Sequence, residues 1–248
     1  MKNWMAFSGV IAGLLLGHPA LAAELTVLSG GAVEPGLNAA AAAFQKETGH
    51  SVKITYNTTP QMRKRVAGGE TFDVVVAPPA AVKEFAAADK VEGGGVNVGR
   101  VGLGVVVRPG APVPDISNAD AIKRAVVEAE SIVFNRASSG LYFEELLKKM
   151  GIYAQAEAKA ARYATGAEVM EHVLKGKGKE VGFGPITEIL QYKDKGLRLV
   201  GPLPAEIQNY TSYTAVPMKA GSNKDVAQAF VRFLGGSGKP LFVAAGID

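Results

Sequence analysis

Short apolar runs alternate along the chain with longer segments whose apolar residues recur at helical spacing. The run 25–28 is apolar enough for a buried strand, and the stretch 35–48 that follows carries an apolar stripe and ends before Gly49. We predict strands over residues 25–28, 52–56, 72–77, 131–134 and 181–183, and helices over residues 35–48, 60–67, 81–88, 141–150, 167–174 and 225–234.

The order of these elements predicts two α/β units. Strands that alternate with helices form parallel sheets covered by helices on both faces. Two further apolar runs, 101–107 and 210–216, lie on either side of the second unit and read as connections. We therefore predict a two-lobed α/β fold with parallel-dominated sheets and two crossover segments. Lobe 1 comprises residues 23–105 with 213–248, and lobe 2 comprises residues 106–212.

The first residues have the pattern of a signal peptide. Lys2 precedes the apolar run 4–17, and Ala20-Leu21-Ala22 matches a cleavage site of the A-x-A type. The apolar run is short for a membrane span, and the cleavage box follows it directly. We expect residues 1–22 to be removed by cleavage after Ala22.

Composition narrows the class of protein further. The chain has no cysteine, which excludes disulfides, thiolate metal sites, a cysteine nucleophile and a lipid-modified N-terminal cysteine. By analogy, a freely diffusing exported protein of this kind is expected in a Gram-negative periplasm. The net charge of +4 is mild, and basic residues are interspersed with acidic ones. This balance suits a small anionic ligand and does not favour nucleic acid. The cleavage box, together with the lack of cysteine and of a second apolar span, leads us to expect a monomer.

Four loops rich in small and hydroxyl-bearing residues lead into predicted helices, two in each lobe, and the first three follow predicted strands. They comprise residues 29–33, 57–61, 135–140 and 164–167. Ligands of open α/β sheets bind at this edge, where helix N-termini favour anions. Any single loop could be an ordinary helix cap, but four in matching positions favour ligand binding. The candidate ligand-binding residues in these loops are Ser29, Gly30, Gly31, Ala32, Thr58, Thr59, Arg136, Ser138, Ser139, Gly140, Thr165 and Gly166.

Arg136 is the only cation within the four loops. A guanidinium at that position could bind a carboxylate or phosphate in bidentate fashion. The alternative is an arginine on the loop surface that faces solvent.

Catalytic signatures are sparse. His50 and His172 have no histidine partner at metal-ligand spacing, and no G-x-S-x-G motif occurs. We therefore expect a protein that is not an enzyme and that needs no metal or cofactor. A serine hydrolase built on Ser138 or Ser139 is the rival from another class, and it would need a base beside the serine. The ligand-binding component of a membrane sensor is a second rival, which needs the same fold and site.

Several segments carry a family resemblance. They are residues 25–29, residues 63–77 with Gly68-Gly69 before the third strand, residues 139–142 before 144–151, residues 181–183, and residues 230–234 with 244–247. In their order and spacing the chain resembles the molybdate-type solute-binding proteins of ABC importers. The resemblance implies a two-lobed type II periplasmic binding fold, closure about a hinge on an oxyanion, and delivery to a membrane permease.

The residues that match the family's site depart from its molybdate pattern. Ala32 stands where the family usually has a serine, and Pro185 stands where it usually has a tyrosine that donates to the oxyanion. The polar pair Thr58 and Thr59 persists, and the backbone donor of the third loop would fall at Ser139 or Gly140. An organic carboxylate fits this site at least as well as molybdate or tungstate, which stay the alternative ligands.

Overall fold

The computed structural model describes residues 22–248. The predicted signal peptide, apart from Ala22, lies outside the described residues. Within 22–248, no helix has the length and apolar character needed to cross a membrane.

Lobe 1 is a parallel three-stranded unit with helices on its faces. Its elements are β1 (Glu24–Gly30), α1 (Glu34–Thr48), β2 (Ser51–Asn57), α2 (Thr59–Ala67), β3 (Val74–Ala77) and α3 (Pro79–Ala87). β1 lies in the centre and runs parallel to both β2 and β3. Because the strands are parallel, the turn Gly31–Val33 and the start of α2 lie at the same edge of the sheet.

A long strand, β4 (Val96–Val107), leads into lobe 2. The elements of lobe 2 are α4 (Ala119–Glu128), β5 (Ser131–Asn135), α5 (Ser138–Lys149), α6 (Tyr153–Glu157), β6 (Ala160–Tyr163), α7 (Gly166–Lys175), β7 (Glu180–Pro185), α8 (Ile186–Leu190) and β8 (Arg198–Pro202). β5 runs parallel to β6 and β7. The chain then returns to lobe 1 through β9 (Tyr210–Pro217), α9 (Lys224–Gly235) and α10 (Lys239–Ala244).

The two crossover segments are strands rather than irregular connections. β4 pairs antiparallel with β9 over residues 96–102 and with β7 over residues 103–106. β9 also pairs antiparallel with β3, so one sheet path runs β2-β1-β3-β9-β4-β7-β5-β6, with β8 beside β4. The sheets are therefore mixed, and the predicted parallel-dominated character holds only away from β4, β8 and β9. The lobe boundaries stay a prediction, because β4 passes from the sheet of lobe 1 into the sheet of lobe 2 without a break.

Each lobe has its own apolar core. In lobe 1, Phe44 packs edge-on against Phe230 with ring centroids 5.0 Å apart, so α9 closes the core begun by α1. In lobe 2, Phe143 of α5 stacks on Phe183 of β7 at 3.9 Å. These cores hold the sheet edges, and the loops on them, in fixed positions.

The helix starts differ from the predicted ones where the site lies. α5 begins at Ser138 rather than at residue 141, so both serines of the third loop belong to its first turn. The elements α4, α6, β6, α8, β8 and α10 were not predicted. β6 and β8 are short and half-exposed, and such strands carry little periodic signal.

Candidate functional site

A cavity of about 210 Å³ lies between the two lobes. Residues from all four predicted loops line it, together with residues of β4, β9 and α8. The predicted site residues that line it are Gly30, Gly31, Ala32, Thr58, Thr59, Ser138, Ser139, Thr165, Gly166 and Pro185.

Three helices begin at the cavity wall. The first residues of α2, α5 and α7 are Thr59, Ser138 and Gly166, and each lines the cavity. The first N–H groups of a helix have no partner within the helix, and the positive end of the helix dipole favours anions. The cavity thus has N–H donors from lobe 1 and from lobe 2.

Two of the predicted threonines stand at the starts of these helices, in capping boxes. The backbone N–H groups of Thr58 and Thr165 each donate to the side chain three residues on, Gln61 Oε1 and Glu168 Oε2, both at 2.8 Å. The Thr165 hydroxyl lies 2.9 Å from Glu168 Oε2 as well. Both threonines line the cavity, but these internal bonds fix the helix starts before any ligand enters.

Asn135 organises the third loop and was not singled out from the sequence. This buried side chain accepts hydrogen bonds from the backbone N–H groups of Ala137 at 3.0 Å and Gly140 at 3.1 Å. A Cβ at Gly140 would lie 1.8 Å from the Asn135 carbonyl oxygen, so only glycine fits there. The Gly140 N–H is therefore used internally, and the ligand contact predicted for Gly140 has no support in this geometry.

Two further predicted residues lie away from the cavity. Ser29 is fully buried within β1, and its hydroxyl donates to the Gly30 carbonyl oxygen at 3.1 Å. Arg136 is exposed and is not among the lining residues, although its backbone N–H donates to Tyr163 O at 2.8 Å. The loop-surface alternative therefore describes Arg136 better than the predicted charge contact.

The loop serines have no base beside them among the described residues. The Ser139 hydroxyl lies 3.2 Å from the Asn135 side-chain nitrogen, and the Ser138 hydroxyl lies 3.5 Å from the Thr59 hydroxyl across the cleft. An amide and a hydroxyl cannot accept the proton of a nucleophilic serine at neutral pH. This arrangement gives the serine hydrolase alternative no structural support.

Direct hydrogen bonds bridge the cleft between the lobes. The buried hydroxyl of Thr187, in α8, donates to the Ala32 carbonyl oxygen at 2.6 Å. The Thr59 and Ser138 hydroxyls, 3.5 Å apart, form a second contact across the cleft. The lobes therefore lie close together around the cavity.

A glutamate at the cavity wall was missed by the sequence reasoning. Glu188 lines the cavity, and its Oε2 atom is out of contact with solvent and has no hydrogen-bond partner within residues 22–248. A Cβ at Gly166 would lie 1.5 Å from that oxygen, so the carboxyl occupies the space that this glycine leaves free. A Cβ at Gly31 would lie 3.1 Å from the other carboxyl oxygen, which places Glu188 between the two lobes.

The charges of the cavity wall are acidic. Burial, together with the nearby charge of Glu34, raises the pKa of the Glu188 carboxyl from its usual 4.5 to about 7. Glu34 also lines the cavity, and burial raises the pKa of its carboxyl. None of the described lining residues is a lysine, arginine or histidine. An anion in this cavity would therefore be held by neutral donors.

Tyrosine hydroxyls are present even though Pro185 has none. Pro185 is buried and lines the cavity. Three tyrosines also line it, namely Tyr56, Tyr192 and Tyr213. Burial and the charge of Glu188 raise the pKa of the Tyr213 hydroxyl, which keeps it protonated and able to donate. The Tyr56 hydroxyl already donates to Asn38 Oδ1 at 2.7 Å. Tyr213 comes from β9, which the sequence pattern presented only as a connection.

The described residues contain no group of three or more acidic or histidine side chains that could hold a metal ion.

Comparison with known proteins places this geometry in a family. Residues 25–248 match the family model of the bacterial extracellular solute-binding proteins. A curated relative, an aconitate isomerase from Pseudomonas sp, is 31% identical over 232 residues, which cover 89% of this chain and 87% of that protein.

Solved structures agree on the fold. The periplasmic molybdate-binding protein of Azotobacter vinelandii superposes with a TM-score of 0.75 at 18% identity, covering 90% of this chain and 98% of that one. The sulfate-binding protein of Mycobacterium tuberculosis H37Rv superposes with a TM-score of 0.73 at 19% identity, covering 91% and 86%. The predicted two-lobed type II periplasmic binding fold is confirmed. This chain belongs to the bacterial extracellular solute-binding proteins.

Proposed function

We propose that this protein is a periplasmic solute-binding protein that captures a small organic carboxylate in the cleft and delivers it to an ABC permease. The observation that carries the proposal is the convergence of the N-termini of α2, α5 and α7 on one cavity. Converging N–H donors favour a ligand with several anionic oxygens. The anion-binding proteins of the same fold support this reading by analogy.

The size of the cavity supports an organic anion over a bare tetrahedral oxyanion. Its volume of about 210 Å³ is several times the ~30 Å³ that one water occupies in the liquid. A sulfate or molybdate ion has five heavy atoms and would leave part of this space to water. A di- or tricarboxylate fills more of it and can place carboxylates at helix ends from both lobes.

The proposal also covers export of the chain and its oligomeric state in solution. The leader pattern over 1–22 supports secretion with cleavage after Ala22. We expect the mature chain to diffuse as a monomer and to bind no nucleic acid. Intact-mass measurement on a periplasmic extract tests the cleavage, and light scattering tests the oligomeric state.

A ligand screen tests the binding function. The purified mature protein is heated with cis-aconitate, trans-aconitate, citrate, sulfate, molybdate or tungstate. A specific ligand raises the melting temperature progressively with concentration, by mass action. We expect at least one of the carboxylates to do so more strongly than the oxyanions. A response to molybdate or tungstate alone would establish the alternative ligands instead.

A second candidate function is isomerisation of aconitate. The relative that carries that name covers most of this chain, and Glu188 lies in the cavity with a pKa of about 7. A carboxyl with such a pKa can both remove and return a proton at neutral pH, which a proton-transfer isomerase requires. The binding proposal, in contrast, expects the ligand to be recovered unchanged.

Incubation with trans-aconitate distinguishes these two functions. NMR of the recovered ligand shows a single isomer if the protein only binds, and both isomers if it catalyses. Catalysis by this site would also be lost in Glu188→Gln and retained in Arg136→Ala, since Arg136 does not line the cavity.

A further inference from the structure

The Glu188 carboxyl is the feature of the cleft that anion binding alone leaves unexplained. It lines a cavity proposed for an anion, with one oxygen buried and unpartnered among the described residues. An ionised oxygen in that position has neither water nor a donor to offset its burial. A ligand carboxylate would bring a further negative charge close to it.

Protonation of Glu188 removes both the cost of burying a charged oxygen and the repulsion between Glu188 and the ligand carboxylate. A neutral carboxyl is less costly to bury, and it provides one O–H donor in addition to acceptor oxygens. The carboxyl lies between Gly31 and Gly166, next to the start of α7, where the ligand is expected. The donor therefore supplements the N–H groups of the helix ends.

We propose that Glu188 takes up a proton when the ligand binds, so that the protein captures a carboxylate as an ion plus a proton and the neutral Glu188 donates a hydrogen bond to it. This inference rests on the proposed function, because it concerns the same site. It makes Glu188 a residue that selects ligands with an acceptor oxygen at this position.

The ionisable groups around Glu188 favour its protonated form, because none of those that act on it is a cation. α8 packs against α7, β4, β7, β8 and the turn Gly31–Val33. The ionisable groups that act electrostatically on Glu188, or feel its charge, are Glu34, Tyr192 and Tyr213. None of these three is a cation, so none of them stabilises an ionised Glu188.

The other ionisable side chains of the packed elements are engaged elsewhere or face solvent. Arg100 stacks on Tyr210, Arg108 pairs with Glu180, Glu168 binds Thr165, Glu171 pairs with Lys175 and Lys195, His172 bonds to Tyr163, and Arg198 is exposed.

Calorimetry in pairs of buffers with different ionisation enthalpies measures the proposed proton directly. The mature protein is titrated with cis-aconitate, or with the carboxylate that gives the largest response in the screen. The number of protons taken up per ligand should approach one at about pH 8, where Glu188 starts ionised, and fall toward zero at about pH 5. The dissociation constant should rise by up to about tenfold per pH unit above neutrality and level off below it.

Three variants assign the proton to a residue. Glu188→Gln keeps a neutral donor and should bind with no proton uptake at either pH. Glu34→Gln should still take up a proton, with the midpoint moved to lower pH because a neighbouring negative charge is gone. His172→Gln removes an imidazole of α7 and should behave like the wild type.

The outcomes distinguish failure of the proposed function from failure of the inference about Glu188. Heat from no tested anion at either pH would overturn the proposed function. Binding without proton uptake in the wild-type protein would overturn the inference alone. Uptake that persists in Glu188→Gln, or disappears in His172→Gln, would also overturn it. The wild-type measurement stands even if Glu188→Gln fails to fold.

Discussion

Thr187 donates a hydrogen bond of 2.6 Å to the carbonyl oxygen of Ala32, although the two residues are 155 positions apart in sequence. Both are buried, and the bond joins α8 of lobe 2 to the turn Gly31–Val33 of lobe 1. Glu188 follows Thr187 directly, so the contact that joins the lobes also positions the carboxyl whose Oε2 atom is buried.

Replacement of Thr187 by valine should lower the free energy of unfolding. The shape is kept, but the buried Ala32 carbonyl oxygen loses its donor, which costs about 1–3 kcal/mol. Urea denaturation of Thr187→Val measures the change, and Thr187→Ser, which keeps the hydroxyl, is the control. If valine and serine unfold at the same urea concentration, the interlobe bond contributes nothing to stability.

Substitution of Gly166 by alanine should weaken ligand binding by displacing Glu188. The added methyl would lie 1.5 Å from the Glu188 Oε2 atom, so the carboxyl must move. We expect an affinity for the carboxylate probe lower by about tenfold or more, equivalent to at least ~1.4 kcal/mol. Gly94→Ala is the control, because a Cβ at Gly94 meets no atom within 4 Å.

A double mutant tests the cause of that effect. If displacement of Glu188 is responsible, Gly166→Ala should have little further effect on affinity in a Glu188→Ala background. Equal losses in both backgrounds would point to the start of α7 itself.

Truncation of Arg136 should leave affinity nearly unchanged. Its side chain is exposed and does not line the cavity, so Arg136→Ala should cost less than about 1 kcal/mol of binding free energy. Calorimetry in moderate salt decides between this and the sequence-based expectation. A loss of about 2–5 kcal/mol would restore Arg136 as a partner of the ligand's charge.

The stability of the ligand-free protein should depend on pH through Glu188. Its pKa is raised from 4.5 to about 7, so the folded state binds more protons than the unfolded state between those values. The contribution of Glu188 to the free energy of unfolding is therefore largest at low pH. It falls as the pH rises toward about 7 and is constant above that.

Glu188→Gln removes this pH dependence because the amide does not titrate. The free energy of unfolding of the Glu188→Gln variant, relative to that of the wild type, should therefore rise between about pH 5 and pH 8, by at most about 3 kcal/mol. Denaturation midpoints of the two proteins across that range measure the difference. A constant difference would mean that Glu188 titrates alike in the folded and unfolded chains.

The loops of the site could be read from the sequence, and two of them follow a local capping rule. Thr58 and Thr165 stand at helix starts with Gln61 and Glu168 three residues on, which is a cap signature visible without a structure. The same local rule could not separate Thr59, which lines the cavity, from Gly140, whose N–H is taken by Asn135.

Glu188 and Tyr213 escaped prediction for a different reason. A glutamate in a short helical segment is normally solvated, and nothing near residue 188 in sequence indicates its burial. Its surroundings come from Gly31, Gly166 and Glu34, which are remote in sequence. Tyr213 similarly acquires its place only when β9 pairs with β4.

The pairing of β9 has a consequence for when the protein can fold. Lobe 1 is completed by a strand from the end of the chain, since Val74 pairs with Pro217 and Val76 with Ala215. Contacts between such distant residues form slowly, because a long loop must close before they stabilise anything. The outer edge of β3 therefore lacks a sheet neighbour until residues 210–217 are available. In the exported chain proposed above, lobe 1 is therefore completed only after residues 210–217 have been synthesised.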